Sequence, residues 1–434
     1  MTARRGLAPR TILTALFDRA VEVSHPDHCL AAHLPDPPET GRLFILAAGK
    51  AASVMAQAAE TRYRSSAVWL SRRIEGLAVT RHGYAAPLER LRTIEAGHPV
   101  PDDASAKASA ALLALANRAG AGDHVLMLLS GGGSALLSAP AAGLTLADKQ
   151  GVTRALLRSG APIDAINTVR RHLSRIKGGR LAAAVSPAPL LTLAISDVAG
   201  DDPSAIASGP TVGDPSTLSD ARAVLSRFGI TPSPAVTAAL NDPANETPAP
   251  DDPVFQSSRY ELVATPRLMV EAVAAKAKEM GFNPIILGSD LEGEARDLGT
   301  AHAGLAREHQ ASGRRVALIS GGEAGVTVTG TGRGGPNQEY ALALAIALDG
   351  APGIHALAAD TDGTDGGAGN ADDPAGAFVG PDTLSRSAAG DQDPVAALRN
   401  NNSTGFFAGI GDLFTPGPTR TNVNDIRVIL TGLS

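Results

Sequence analysis

Short apolar runs that end in glycine-rich polar loops constrain this chain more than any other feature. Phe44–Leu46 leads into Ala47-Ala48-Gly49-Lys50, and Val125–Leu129 leads into Ser130-Gly131-Gly132-Gly133-Ser134. Val316–Ile319 leads into Ser320-Gly321-Gly322-Glu323, and His355–Ala359 into Asp360-Thr361-Asp362-Gly363-Thr364-Asp365-Gly366-Gly367. Open α/β sheets carry their ligands at the carboxyl ends of strands, in loops of this composition. Glycine lets backbone N–H groups approach a phosphate, and the N-terminus of a following helix adds positive potential. Four such loops point to an enzyme that handles phosphate.

A chain of 434 residues exceeds one comfortable core, so two domains are expected. The expected division is 1–245 and 246–434, set by the Pro-, Asp- and Asn-rich stretch between Asn241 and Pro253. Aromatic residues make up only 3 % of the chain, so Ala, Val, Leu and Ile must build the core through close helix–sheet contacts. The net charge of -6 gives no sign of a nucleic-acid surface. Cys29 is the only cysteine, which excludes an intramolecular disulfide and a cysteine-based zinc cluster. Met1-Thr2-Ala3-Arg4-Arg5 runs into an amphipathic segment, and no apolar run spans a bilayer. A cytoplasmic enzyme with no membrane partner is expected, as a monomer or a homodimer.

Thr11–Val21 reads as a helix packing through Ile12, Leu13, Leu16 and Phe17. Strands are expected at Leu43–Leu46, Val68–Leu70, Ala78–Thr80, Val125–Leu129, Leu190–Ile195, Tyr260–Ala264, Pro284–Leu287, Val316–Ile319, Val326–Val328, Ile354–Ala359 and Ile426–Leu430. Their alternation with helices of 10–15 residues predicts mostly parallel sheets.

Several residues carry candidate chemistry, each with a plainer alternative. Lys50 opens a helix at a strand end, where an ammonium can meet phosphate or simply face solvent. Ser130, Gly131, Gly132, Gly133 and Ser134 can form an anion-holding nest or a tight packing turn. Arg170, Arg171, His172, Arg175, Lys177 and Arg180 form the densest basic stretch, suited to phosphate or carboxylate or to a solvated helix face. Asp197, Asp201 and Asp202 crowd one strand end, and Asp360, Asp362 and Asp365 another. One or two such carboxylates plus nucleotide phosphates suffice for Mg²⁺, whereas Asx turns produce the same pattern. In Gly332-Arg333-Gly334-Gly335-Pro336-Asn337-Gln338-Glu339, Pro336 suits the first helical position and Arg333 has no packing reward. No Gly-x-Gly-x-x-Gly run follows the early strands, and Gly49-Lys50 is not a Walker loop.

Taken together these motifs resemble the class II, MOFRL-type glycerate 2-kinases, whose bacterial members often bear the name hydroxypyruvate reductase. The resemblance rests on Ala48-Gly49-Lys50, Leu129–Leu136, Asn167–Ser174, Lys177-Gly178-Gly179, Ile195–Val198, Gly200-Asp201-Asp202 and Ile206–Thr211. It continues through Ser320–Glu323, Gly332–Glu339, Asp360–Gly366, and Gly417–Thr419 to Asn422–Asp425. It implies an α/β fold, with a Rossmann-like N-terminal domain, a smaller C-terminal α/β domain and the active site in the cleft. It further implies ATP- and Mg²⁺-dependent phosphorylation of D-glycerate at its 2-hydroxyl. Lys50 matches a lysine regarded as catalytic. Many members carry Arg where this chain has Pro336, so the arginine role falls to Arg333 or elsewhere. The expected catalytic set is Lys50, Arg333 and Asp197. Ser130–Ser134, Arg170, Arg175, Lys177 and Asn337 would hold substrate or phosphate, and Gly321, Gly322 and Glu323 the nucleotide. Asp197, Asp360 and Asp362 would hold the metal. An NAD(P)H-dependent hydroxypyruvate reductase and an inactive metabolite sensor are the alternatives.

Overall fold

The computed structural model describes residues 7–367 and 372–433; the run Met1 to Arg5 lies outside them. The chain forms two compact units, one spanning Pro26–Val263 and the other combining residues 7–25 with the chain from Ala264 onward.

In the first unit, β1 (Leu43–Ala48), β2 (Ile74–Arg81), β3 (Arg92–Ala96), β4 (His124–Leu129), β5 (Leu190–Ile195) and β6 (Ser258–Ala264) form one sheet. Its order is β3-β2-β1-β4-β5-β6, the order of a doubly wound sheet. β1 pairs parallel with both β2 and β4, and β4 pairs parallel with β5. All six residues of β1 are buried, as expected for a central strand covered on both faces. From β1 the chain proceeds to β2 on one side, and from β4 to β5 on the other. The order therefore reverses between β1 and β4, the place where such sheets bind ligands. The edge strand β3 was not expected. Val68–Leu70, expected as a strand, lies in a single helical turn, because the Ser66 side chain accepts from the Trp69 N–H and starts it.

The second unit has β7 (Asn283–Gly288), β9 (Val316–Ser320), β11 (His355–Asp360), β12 (Gly376–Val379), β13 (Leu413–Phe414) and β14 (Asp425–Leu430) in the order β13-β12-β11-β14-β9-β7. Two-residue strands β8 (Gly293–Glu294) and β10 (Ala324–Gly325) pair separately. β8 and β10 pair parallel, and within the six-stranded sheet β7 and β9 do so; there β14 runs antiparallel to both β9 and β11, and β12 to both β11 and β13. This corrects the parallel expectation for this half. A parallel neighbour needs a crossover, usually a helix, and the described residues between β11 and β12 form none. Val326–Val328 is not a strand either.

Helix Pro9–Ser24 buries Ile12, Leu13, Leu16, Phe17 and Ala20, the expected stripe. It packs on helix Pro266–Glu279 and on β11 and β14, so the first helix of the chain belongs to the unit built from its second half. Among the described residues no helix is long and apolar enough to cross a membrane.

Candidate functional site

At the reversal point, two glycine-containing loops are bonded into one surface. Lys50 N–H donates to the Gly131 carbonyl at 2.8 Å, Ala51 N–H to Ser130 Oγ at 3.0 Å, and Ser130 N–H to the Ala48 carbonyl at 3.0 Å. The approach is so close that a Cβ on Gly49 would lie 2.1 Å from Ser130 Oγ. Gly132 is left-handed at φ 80°, and a Cβ there would meet His98 at 2.9 Å and Lys50 Cγ at 3.2 Å. Lys50, the nest and His98 are thereby neighbours, although the sequence reading treats His98 only as part of a turn.

Ser134 links this loop to the basic stretch. Its Oγ lies 2.7 Å from Ser208 Oγ, and its carbonyl accepts from Lys177 Nζ at 2.8 Å. Ser208 donates to Asn167 Oδ1 at 3.4 Å, and Arg170 Nη1 donates to the same oxygen at 3.3 Å. Ala207, Ser208 and Gly209 are all left-handed, which turns the carbonyls of Ser208 and Gly209 toward the N–H groups of Gly178 and Gly179.

Arg170 and Lys177 line a cavity of about 240 Å³ together with Lys149, Ser134, Ser138 and apolar walls that include Pro99, Leu157 and Ile166. Arg175 is exposed, donates to the Pro140 carbonyl and does not line it. Burial pushes the Lys149 amine down to about 7, helped by the nearby Arg170. Burial also lowers Lys177 well below an ordinary lysine, with Arg170 and Lys149 adding repulsion, and it lowers Arg170. Lys149 was missed. Its signal was available: with Val152 and Leu156 it occupies the buried stripe of helix Leu146–Arg158, a charge at an apolar position.

Asp197 is half-buried just beyond β5. In the same loop Asp201 has a buried Oδ1 without a hydrogen-bond partner. Burial, then Asp202 and Asp197, pushes up the phenol of Tyr260.

In the second unit, the Gly330–Gly335 segment is laced to three asparagines absent from the sequence reading. Thr329 and Gly330 N–H donate to Asn401 Oδ1 at 2.9 Å each, Thr331 N–H to Asn400 Oδ1 at 3.0 Å, and Arg333 N–H to Asn402 Oδ1 at 3.3 Å. The Arg333 backbone is fixed while its residue stays exposed. Asn337 is buried and donates through Nδ2 to Asp425 Oδ1 at 2.5 Å, where Asp425 also pairs with Arg427. Gly321 and Gly322 are buried; the Gly321 carbonyl accepts from Arg427 and the Gly322 carbonyl from Asp425 N–H, whereas Glu323 is exposed. A Cβ on Gly322 would lie 2.2 Å from Leu291 N, so packing demands that glycine. Asp360 Oδ1 accepts from Asp362 N–H at 2.8 Å, and Asp362 Oδ1 from Thr364 N–H at 2.9 Å. Each aspartate thus turns one oxygen onto its own loop, the Asx pattern. Among the described residues no group of three or more His, Cys, Asp or Glu side chains is arranged to hold a metal.

Residues 12–241 match the family described as Domain of unknown function (DUF4147), and residues 316–425 match the MOFRL family. The chain is 40% identical to a D-glycerate 2-kinase of Thermotoga maritima, across 95% of this chain and 96% of that protein. It is 47% identical to an Agrobacterium vitis protein named "Putative hydroxypyruvate reductase", across 98% and 95%. The crystal structure of a glycerate kinase from Thermotoga maritima is similar at a TM-score of 0.86 and 39% identity, covering 97% of this chain and 99% of that one.

Proposed function

Because this chain belongs to the MOFRL-type glycerate 2-kinase family, we propose that it transfers the γ-phosphoryl group of ATP to the 2-hydroxyl of D-glycerate. The observation that carries this reading is the bonding of the Lys50 loop to the Ser130–Ser134 nest at the point where the strand order reverses. Phosphoryl transfer demands mainly positioning and charge stabilisation, and this site supplies both without a covalent enzyme intermediate.

The acceptor oxygen attacks the γ-phosphorus as the bond to the ADP oxygen breaks, and the hydroxyl proton passes to Asp197. Lys50 and the backbone N–H groups of Gly131–Ser134 hold the charge that develops on the moving group. Arg170 and Lys177 hold acceptor charge, with Arg175 at the rim of the same basic stretch. In the second unit Arg333 is assigned to phosphoryl charge, Asn337 to substrate, and Gly321, Gly322 and Glu323 to the nucleotide. The buried, unpartnered Oδ1 of Asp201 beside Asp197 in sequence gives this loop an oxygen donor set that fits Mg²⁺. Asp201 would hold the ion, with Asp197 reaching it through water and with Asp360 and Asp362 as the alternative pair; bound there, it would neutralise phosphate charge.

Phosphorus NMR of the purified protein with D-glycerate, ATP and Mg²⁺ tests the reading. The expected product is 2-phosphoglycerate, with turnover lowered about a hundredfold or more by Lys50→Met. Appearance of 3-phosphoglycerate overturns the assigned acceptor oxygen. Oxidation of NAD(P)H by hydroxypyruvate, with no phosphorylated product, replaces the kinase with the reductase.

A further inference from the structure

Four basic side chains, Lys149, Arg154, Arg170 and Lys177, line one cavity. Lys149 is only 7 % exposed and its Nζ has no hydrogen-bond partner in the structure. Lys177 is 1 % exposed and reaches the Ser134 carbonyl, a neutral acceptor. None of the residues lining the cavity is acidic. Cationic side chains gathered in an apolar-walled pocket are strongly unfavourable without a counter-ion, so folding alone does not account for them.

We propose that this pocket binds the carboxylate of the acceptor hydroxy acid and that Lys149 is a binding residue for it. The assignment rests on the glycerate kinase reading above. A volume of about 240 Å³ accommodates a three-carbon acid. Ser134 lines the pocket and also ends the loop beside Lys50. An acid held here by its carboxylate therefore has its adjacent hydroxyl on the side of the phosphoryl-binding loop. Arg170 offers the planar fork that matches a carboxylate, and the apolar walls strengthen each ionic contact by excluding water.

The test is calorimetric titration of nucleotide-free protein with D-glycerate, and separately with ATP and inorganic phosphate, for the natural chain, Lys149→Met and Lys149→Arg. Lys149→Met is expected to weaken D-glycerate binding about tenfold to a hundredfold, with partial recovery in Lys149→Arg and ATP affinity changed less than about twofold. Should Lys149→Met fail to fold, Arg170→Gln provides the same readout. Unchanged D-glycerate affinity in a folded variant overturns the proposal. So does a loss confined to ATP or to inorganic phosphate, which makes the pocket a phosphate site. Lys149-dependent binding of D-glycerate without phosphoglycerate formation leaves the pocket standing and overturns the kinase. Phosphoglycerate formation with the same KM for D-glycerate in both proteins does the reverse.

Discussion

Lys149 carries a charge that folding strips of water, and its cost is visible in the ligand-free protein. Its amine sits at about 7 rather than 10.5, facing Arg170 and Lys177. Between those two values the folded chain binds fewer protons than the unfolded chain, so stability rises with pH through that window. Below about 7 the amine is protonated in both states and the penalty is complete. Lys149→Met is therefore expected to stabilise the ligand-free protein by about 1–3 kcal/mol below pH 7, with the advantage disappearing toward pH 10.5. Urea denaturation across pH checks this; a variant less stable than the natural chain at pH 6 contradicts it. The residue is easily passed over in the sequence because a lysine on a helix is usually solvated, although its place in the stripe of Val152 and Leu156 marks it. Only the packing of helix Leu146–Arg158 turned it inward.

The helix Pro336–Leu348 shows the same division at the scale of an element. Its start was legible, since Pro336 suits the first turn and the Gly-rich run before it forbids earlier continuation. Its cap was not. The N-cap residue is Gly335, which has no side chain, and Asp365 supplies the capping carboxylate from the loop after β11. Oδ1 accepts from Asn337 N–H at 2.9 Å, and Oδ2 from Gln338 N–H at 2.8 Å and Gln338 Nε2 at 3.0 Å. Burial pushes this carboxyl up to about 7 against those bonds. Asp365→Ala takes that acceptor from these three donors and from Asn337 Nδ2, which reaches Oδ1 at 3.3 Å, and is expected to cost about 2–4 kcal/mol. Denaturant unfolding measures the loss, and a change below about 0.5 kcal/mol contradicts the capping role. The acidic loop, read from sequence for its metal chemistry, thus has a structural duty that local sequence could not reveal, because its partners lie 27 and 28 residues away.

At the scale of the whole molecule, the chain order and the spatial units differ. Residues 7–25 belong with the unit that starts at Ala264, where Phe17 meets Phe414 edge-on at 4.8 Å and Thr421 Oγ1 donates to the Ser24 carbonyl at 2.7 Å. Burial of Ile12, Leu13, Leu16 and Phe17 contributes on the order of 5–10 kcal/mol, comparable with the stability of a domain. Removing residues 1–25 is expected to unfold or strongly destabilise the unit from Ala264 onward while Pro26–Val263 remains folded. Limited proteolysis with mass spectrometry checks this, and equal resistance of both units contradicts it. The sequence by itself determined the parts governed by local physics: the longer apolar runs became strands, glycines marked the close approaches at Gly49 and Gly132, and the helical stripe of Pro9–Ser24 announced a buried face. It could not say which surface would cover that face, which way β11, β12 and β14 would run, or that Lys149 would join Arg170 and Lys177. Those outcomes depend on contacts between residues far apart in the chain, whose free energy exists only once the sheets have formed and excluded water.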